Sequence, residues 1–268
     1  MSSLSISAAW DEAKAVLVRD GRLYMSVALA LIVLPQVVLA VVGSPVGQDA
    51  TGTARIVYIA VILLGLVAQI ALCRLAIGPA VTVGDSISLG LVRLVPVFFV
   101  LLVSFLAMAL VVALLSVVLS AAGVVVMRSP GQPAPAVILL LLLVGALVFV
   151  ILQLVVPVAA AETGNPLRLA SRSWRLARGH YWQLLGFVAA VLFGLGLVLI
   201  AAQVGLGSLI VLLLGKPNPG SLSALVLGLI GGLLQAGFTI VTAVMLARIY
   251  VQLAGRGEAQ ASVPKSGT

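Results

Sequence analysis

Charge, cysteine and histidine are scarce in this chain. Only 8% of its 268 residues are Asp, Glu, Lys or Arg, against about a quarter in soluble domains. So little charge cannot cover a soluble surface, and a mean hydropathy of +1.31 marks an integral membrane protein. The one cysteine, Cys73, excludes a disulfide within the chain. It sits in an apolar run and reads as a small buried hydrophobe. Together with the one histidine, His180, it falls short of the ligands a zinc site needs. His180 therefore reads as an interfacial residue, and no metal or cofactor is expected. The seven acidic residues offer no pair that spacing assigns to acid–base work. Gly215-Lys216 runs into Pro217, with Ile210 where a P-loop needs its first glycine. No G-x-S-x-G or H-E-x-x-H occurs either, so an enzyme is disfavoured. The middles of the spans hold no ionisable group, where proton relays and ion-coupled transporters place theirs. A net charge of +8 is too thinly spread for a nucleic-acid domain, and anionic lipid headgroups are the expected partner. No cleavable leader is expected, because Asp11, Glu12 and Asp20 precede the first apolar run.

Apolar sequence is what the chain has in excess. Six runs are long enough to cross a bilayer: 23–42, 56–73, 97–127, 135–156, 183–214 and 222–247. Pro35 removes a hydrogen bond to the Leu31 carbonyl and predicts a kink. The third and fifth runs exceed a straight span and must tilt, protrude or break, the third near Gly123. Residues 43–54, 128–134 and 215–221 read as turns or loops. The polar tail 254–268 is expected to be disordered.

The segment 165–182 is basic and amphipathic. Asn165 is a good N-cap and Pro166 suits the first helical position. Leu167, Ala170, Trp174, Ala177 and Tyr181 recur at helical spacing as an apolar stripe. Arg168, Arg172 and Arg175 fall on another face, Arg178 suits the last turn, and Gly179 can end the helix. Such a helix lies on a membrane surface. Residues 1–22 repeat the pattern with Ile6, Trp10, Ala13 and Leu17. A third segment opens with Thr82-Val-Gly-Asp85, which has the form of a capping box. The caps Ser7, Thr82 and Asn165 each precede a breaker, Gly21, Pro96 and Gly179, by 14 residues. This predicts an all-α membrane fold of six transmembrane helices and three cytoplasmic-side interfacial helices. They form three units, about 5–78, 79–160 and 161–253, of one membrane domain spanning 1–253. Twelve of the fifteen basic residues fall on one side of the spans, with Arg55, Arg128 and Lys216 opposite. The positive-inside rule then places both termini and all three amphipathic segments in the cytoplasm of a bacterial inner membrane.

Small residues recur every fourth position at Ala224, Gly228, Gly232 and Ala236, and at Gly186, Ala190 and Gly194, as ridges for close helix packing within the chain or for a dimer seam. Gln235, Thr239 and Thr242 form a polar strip in the sixth run, for interhelical hydrogen bonds or a polar pathway. At the rim, Glu162 is followed by the cluster Arg168, Arg172, Arg175 and Arg178, as an ion pair that docks the surface helix, as one that sets its angle and gates a lipid-facing groove, or as a headgroup site.

The run Pro157…Glu162…Ser173-Trp174-Arg175-Leu176-Ala177-Arg178-Gly179…Trp182 resembles a motif of bacterial integral membrane proteins. These include the membrane domain fused to some glycerophosphoryl diester phosphodiesterases. The likeness is clearest over about 157–200. It implies the membrane architecture. It does not carry the activity, because the acid and histidine metal ligands of the phosphodiesterase are not found here. The expected function is a non-catalytic scaffold or accessory factor that meets anionic headgroups, a second copy or another membrane protein. The alternative is a transporter or channel for an apolar or lipid-like molecule.

Overall fold

The structure is a computed structural model that describes residues 6–43, 51–77, 81–122, 127–129, 132–162, 165–178 and 181–261. The first helix, α1 (Ile6–Ala28), passes through a π-helical turn, Leu29–Val33, into α2 (Leu34–Val42). Pro35 explains the turn. Its ring would strike the Leu31 carbonyl in an α-helix, and a wider turn closed by Leu34 N–H on the Leu29 carbonyl carries the chain past it. There follow α3 (Gly52–Ile77), α4 (Val83–Ala121), α5 (Pro135–Ala161), α6 (Pro166–Arg178), α7 (Tyr181–Leu214) and α8 (Leu222–Ala261). Between α4 and α5 a small antiparallel hairpin, β1 (Met127–Ser129) with β2 (Gln132–Pro133), sets Met127 opposite Pro133 and Ser129 opposite Gln132.

The bundle is organised around α8, which packs against α1, the π turn, α2, α3, α5 and α7. Five consecutive residues, Ala243 to Ala247, are all buried, as expected of a helix enclosed on every side. Glycine sets how closely α8 approaches α2 and the π turn. A Cβ built on Gly228 would stand 2.6 Å from Ala40 Cβ and 3.1 Å from Val37 Cα, and one on Gly232 would stand 3.2 Å from Val33 Cα. The ridge Ala224–Gly228–Gly232–Ala236 therefore serves packing within the chain. The second ridge does not: Gly186, Ala190 and Gly194 are exposed, and nothing lies within 4 Å of a Cβ on Gly186 or Gly194. The α7–α8 turn also closes the bundle, since Gly220 N–H donates to the Val41 carbonyl at 2.9 Å. Gly43, with φ +112°, ends α2 against the Pro219 ring.

Among the described residues, five helices are long and apolar enough to cross a membrane: Ser7–Val42, α3, α4, α7 and Leu222–Ala254 of α8. Their outer faces carry large apolar side chains, among them Phe105, Leu114, Phe193 and Leu212, which suits hydrocarbon surroundings and no aqueous one. The protein is an all-helical membrane protein. At 39 residues α4 is about 58 Å long, nearly twice the hydrocarbon thickness of about 30 Å.

Several expected boundaries move. Gly21 does not end a helix, because α1 runs through it. An interior glycine costs only about 1 kcal/mol relative to alanine, and no proline follows. Pro96 lies inside α4 and Pro157 inside α5. In a membrane helix the freed carbonyl is tolerated. The lead-in segments at 6–22 and 82–96 are thus continuous with their spans, and only α6 stands as a separate surface helix. The tail expected to be disordered from 254 remains helical through Ala261, in keeping with its Ala, Arg, Glu and Gln content. Gly123, Gly179, His180 and residues 262–268 lie outside the described residues.

Candidate functional site at the basic rim

Thr82 caps α4: its hydroxyl accepts from Asp85 N–H at 3.1 Å and donates to the Asp85 carboxylate at 2.6 Å. This is the capping box of the sequence, with the acid bound to the cap hydroxyl. Asn165 opens α6 by accepting from Arg168 and Leu169 N–H through its carbonyl, with Pro166 first in the helix.

Three faces of α6 do three things. Leu169 and Ser173, one turn apart, are buried against the bundle, and the Ser173 hydroxyl is satisfied by the Leu169 carbonyl at 2.9 Å. Ala170 and Trp174, from the expected apolar stripe, lie beside this contact face, and Trp174 is exposed. Of the stripe, Ala170 and Tyr181 pack against the core while Trp174 looks outward. Arg168, Ser171, Arg175 and Arg178 occupy the exposed polar face. On the first helix Ala9, Ala13 and Val16 pack inward, with Leu17 against the same core, while Trp10 is exposed, with Lys14 Nζ 5.5 Å above its ring.

Arg172 is the arginine that meets Glu162. Its Nε donates to Glu162 Oε1 at 3.1 Å, and the Tyr250 hydroxyl donates to the same oxygen at 2.9 Å. One carboxylate oxygen thus joins the end of α5, the middle of α6 and the last turns of α8. The ion pair is about one-third exposed on each side, so it is worth no more than about 1 kcal/mol. The Tyr250 hydroxyl comes from a buried side chain and is the firmer half of the latch. Arg168, Arg175 and Arg178 are not brought to Glu162; they remain on the exposed face. Tyr250 was not foreseen, although a tyrosine at the end of an apolar run is a known interfacial anchor.

All three tryptophans, Trp10, Trp174 and Trp182, are exposed, Trp182 at 78%. Trp174 and Trp182 stand beside the arginines of α6, and outward indoles next to basic residues are the pattern of a headgroup belt. The strip in α8 is of another kind. The Thr239 hydroxyl donates to the Gln235 carbonyl and Thr242 to the Phe238 carbonyl, each at 2.8 Å. Both hydroxyls are satisfied within their own helix, which weakens the strip as the lining of a pathway. An open groove on α7, lined by Gln203, Val204, Gly207, Ser208, Val211 and Leu212, is built from one helix and does not include the strip. Comparison with family models, curated proteins and solved structures returned no match.

Proposed function

We propose that this chain is a non-catalytic multi-pass protein of the bacterial cytoplasmic membrane, a scaffold or accessory factor whose basic rim holds anionic headgroups and docks a membrane partner. In this reading α5, 27 residues long, is a sixth span. Both termini face the cytoplasm, and three lead-in segments, each followed by a hairpin, make a repeat in which only the third has become a separate helix. The likeness of 157–182 to the phosphodiesterase-associated membrane domain agrees with this architecture. The observation that carries the reading is the docking of α6. Arg172 is committed inward to Glu162, while Arg168, Arg175 and Arg178 stay exposed beside Trp174. A helix held that way offers three cations to a negatively charged leaflet, each worth about 1 kcal/mol near the surface.

The test is the lipid retained by the purified chain. Extraction in native nanodiscs followed by lipid mass spectrometry should give phosphatidylglycerol enriched over the bulk membrane. The variant Arg168→Gln/Arg175→Gln/Arg178→Gln should reduce that enrichment by at least half with unchanged helicity. Equal lipid composition around both proteins would refute the rim as a headgroup surface.

A further inference from the structure

Three polar atoms are buried without a hydrogen-bond partner among the described residues: the Tyr24 hydroxyl on α1, and Arg248 Nε and the Gln252 side-chain carbonyl on α8, two helices that pack together. Arg248 and Gln252 are one turn apart on α8. Tyr24 is 1% exposed and belongs to the core where α1 packs on α8. Asp20 lies one turn before Tyr24, yet its carboxylate is held by Arg19 at 2.8 Å, and no ion pair among the described residues reaches Arg248. A half-sunk guanidinium without an anion is unfavourable, and so is a covered N–H without an acceptor. The chain therefore leaves a place for an anion supplied from outside.

Depth indicates its source. Arg248 stands about 39 Å along α8 from Leu222, past the roughly 30 Å hydrocarbon layer and level with the headgroups. The residue is partly exposed while its Nε is covered, so the side chain runs from the seam to the rim. The atoms also specify the chemistry. Arg248 and Tyr24 offer donors and the Gln252 carbonyl is an acceptor. A phosphodiester whose headgroup has no donor, such as one with a quaternary ammonium, would satisfy the first two and leave the third unmet. A phosphodiester that carries an N–H or O–H donor satisfies all three.

We propose that the α1/α8 seam binds one phospholipid headgroup per chain. Arg248 and Tyr24 donate to its phosphate oxygens, and Gln252 accepts from its ammonium or hydroxyl group. Seating the headgroup takes a rotation of the Arg248 side chain away from the closed seam. This is a stoichiometric site on the first and last helices, separate from the diffuse attraction of α6.

The full chain in detergent is titrated with phosphatidylethanolamine, phosphatidylglycerol, phosphatidylcholine or inorganic phosphate, and bound species are counted by native mass spectrometry. One phosphatidylethanolamine or phosphatidylglycerol should bind several-fold more tightly than phosphatidylcholine, whose quaternary ammonium has no donor. Arg248→Gln should weaken binding at least tenfold and Tyr24→Phe at least threefold. Gln252→Leu should erase the preference over phosphatidylcholine while leaving phosphate binding. Circular dichroism keeps the test valid: should Arg248→Gln misfold, Tyr24→Phe and Gln252→Leu carry it. Unchanged binding in the folded variants would overturn the proposal. So would inorganic phosphate binding as tightly as the lipids through Arg248, which would make the ligand a soluble anion. Loss of the bound lipid only in the triple α6 variant would assign the effect to α6 and also overturn it.

Discussion

Gly228→Ala should destabilise the protein although it adds one methyl group. The added carbon would stand 2.6 Å from Ala40 Cβ, 3.1 Å from Val37 Cα and 3.4 Å from the Gln36 carbonyl. Two of these neighbours are backbone atoms, so no rotamer change relieves them and α8 must move away from α2. Overpacking of this kind costs about 1–3 kcal/mol, less up to about 1 kcal/mol regained from the helix preference of alanine over glycine. We expect a net loss of about 1–2 kcal/mol. Removing the nearest atom with Ala40→Gly in the same chain should recover part of the loss and not all, because the Val37 and Gln36 backbones remain. Gly194→Ala, with nothing within 4 Å, should lose nothing and gain up to about 1 kcal/mol from the same helix preference. The assay is unfolding in mixed micelles by increasing dodecyl sulfate, followed by circular dichroism. Equal stability of the Gly228→Ala and Gly194→Ala proteins, or full rescue by Ala40→Gly, would refute the packing argument.

Tyr250→Phe should cost about 1 kcal/mol in the same assay, the usual net worth of a hydrogen bond from a buried group; no loss would mean that Glu162 is held by Arg172 alone. Arg172→Gln should leave global stability within about 1 kcal/mol, since the pair is part exposed, yet speed amide exchange in α6; unchanged exchange would remove the latch. Thr82→Ala should destabilise the start of α4 by about 1 kcal/mol, seen as faster exchange at residues 83–86. Gly43→Ala should cost about 1–3 kcal/mol, because its φ of +112° and the Pro219 ring at 3.1 Å both oppose a side chain.

The membrane class was legible because hydropathy reads directly as solvent. The Gly228 and Gly232 ridge was legible because only small residues let two backbones meet. Glu162 was read against the cluster Arg168, Arg172, Arg175 and Arg178, of which Arg172 meets it, and the Thr82 cap followed from its motif. What failed to show were helix ends. Gly21 and Pro96 read as breakers, but an interior glycine costs only about 1 kcal/mol, and an apolar chain in hydrocarbon around Pro96 has no other way to satisfy its backbone than to stay helical. The split of the apolar stripes was not legible: Ala13, Leu17, Ala170 and Tyr181 pack against the bundle while Trp10 and Trp174 look outward, and helical spacing alone does not separate a lipid contact from a protein contact. Tyr250 and the seam of Tyr24, Arg248 and Gln252 depend on contacts between the first and last helices, which spacing within one segment cannot reveal.

The account rests on the basic, tryptophan-bearing end of the bundle lying on the opposite side of the membrane from the α7–α8 turn. Single cysteines at Ser171→Cys in α6 and Asn218→Cys in that turn can be labelled with a membrane-impermeant maleimide in intact cells, the native Cys73 being buried. Asn218→Cys should react from outside, and Ser171→Cys only after the membrane is opened. Labelling of both from the same side would contradict the account.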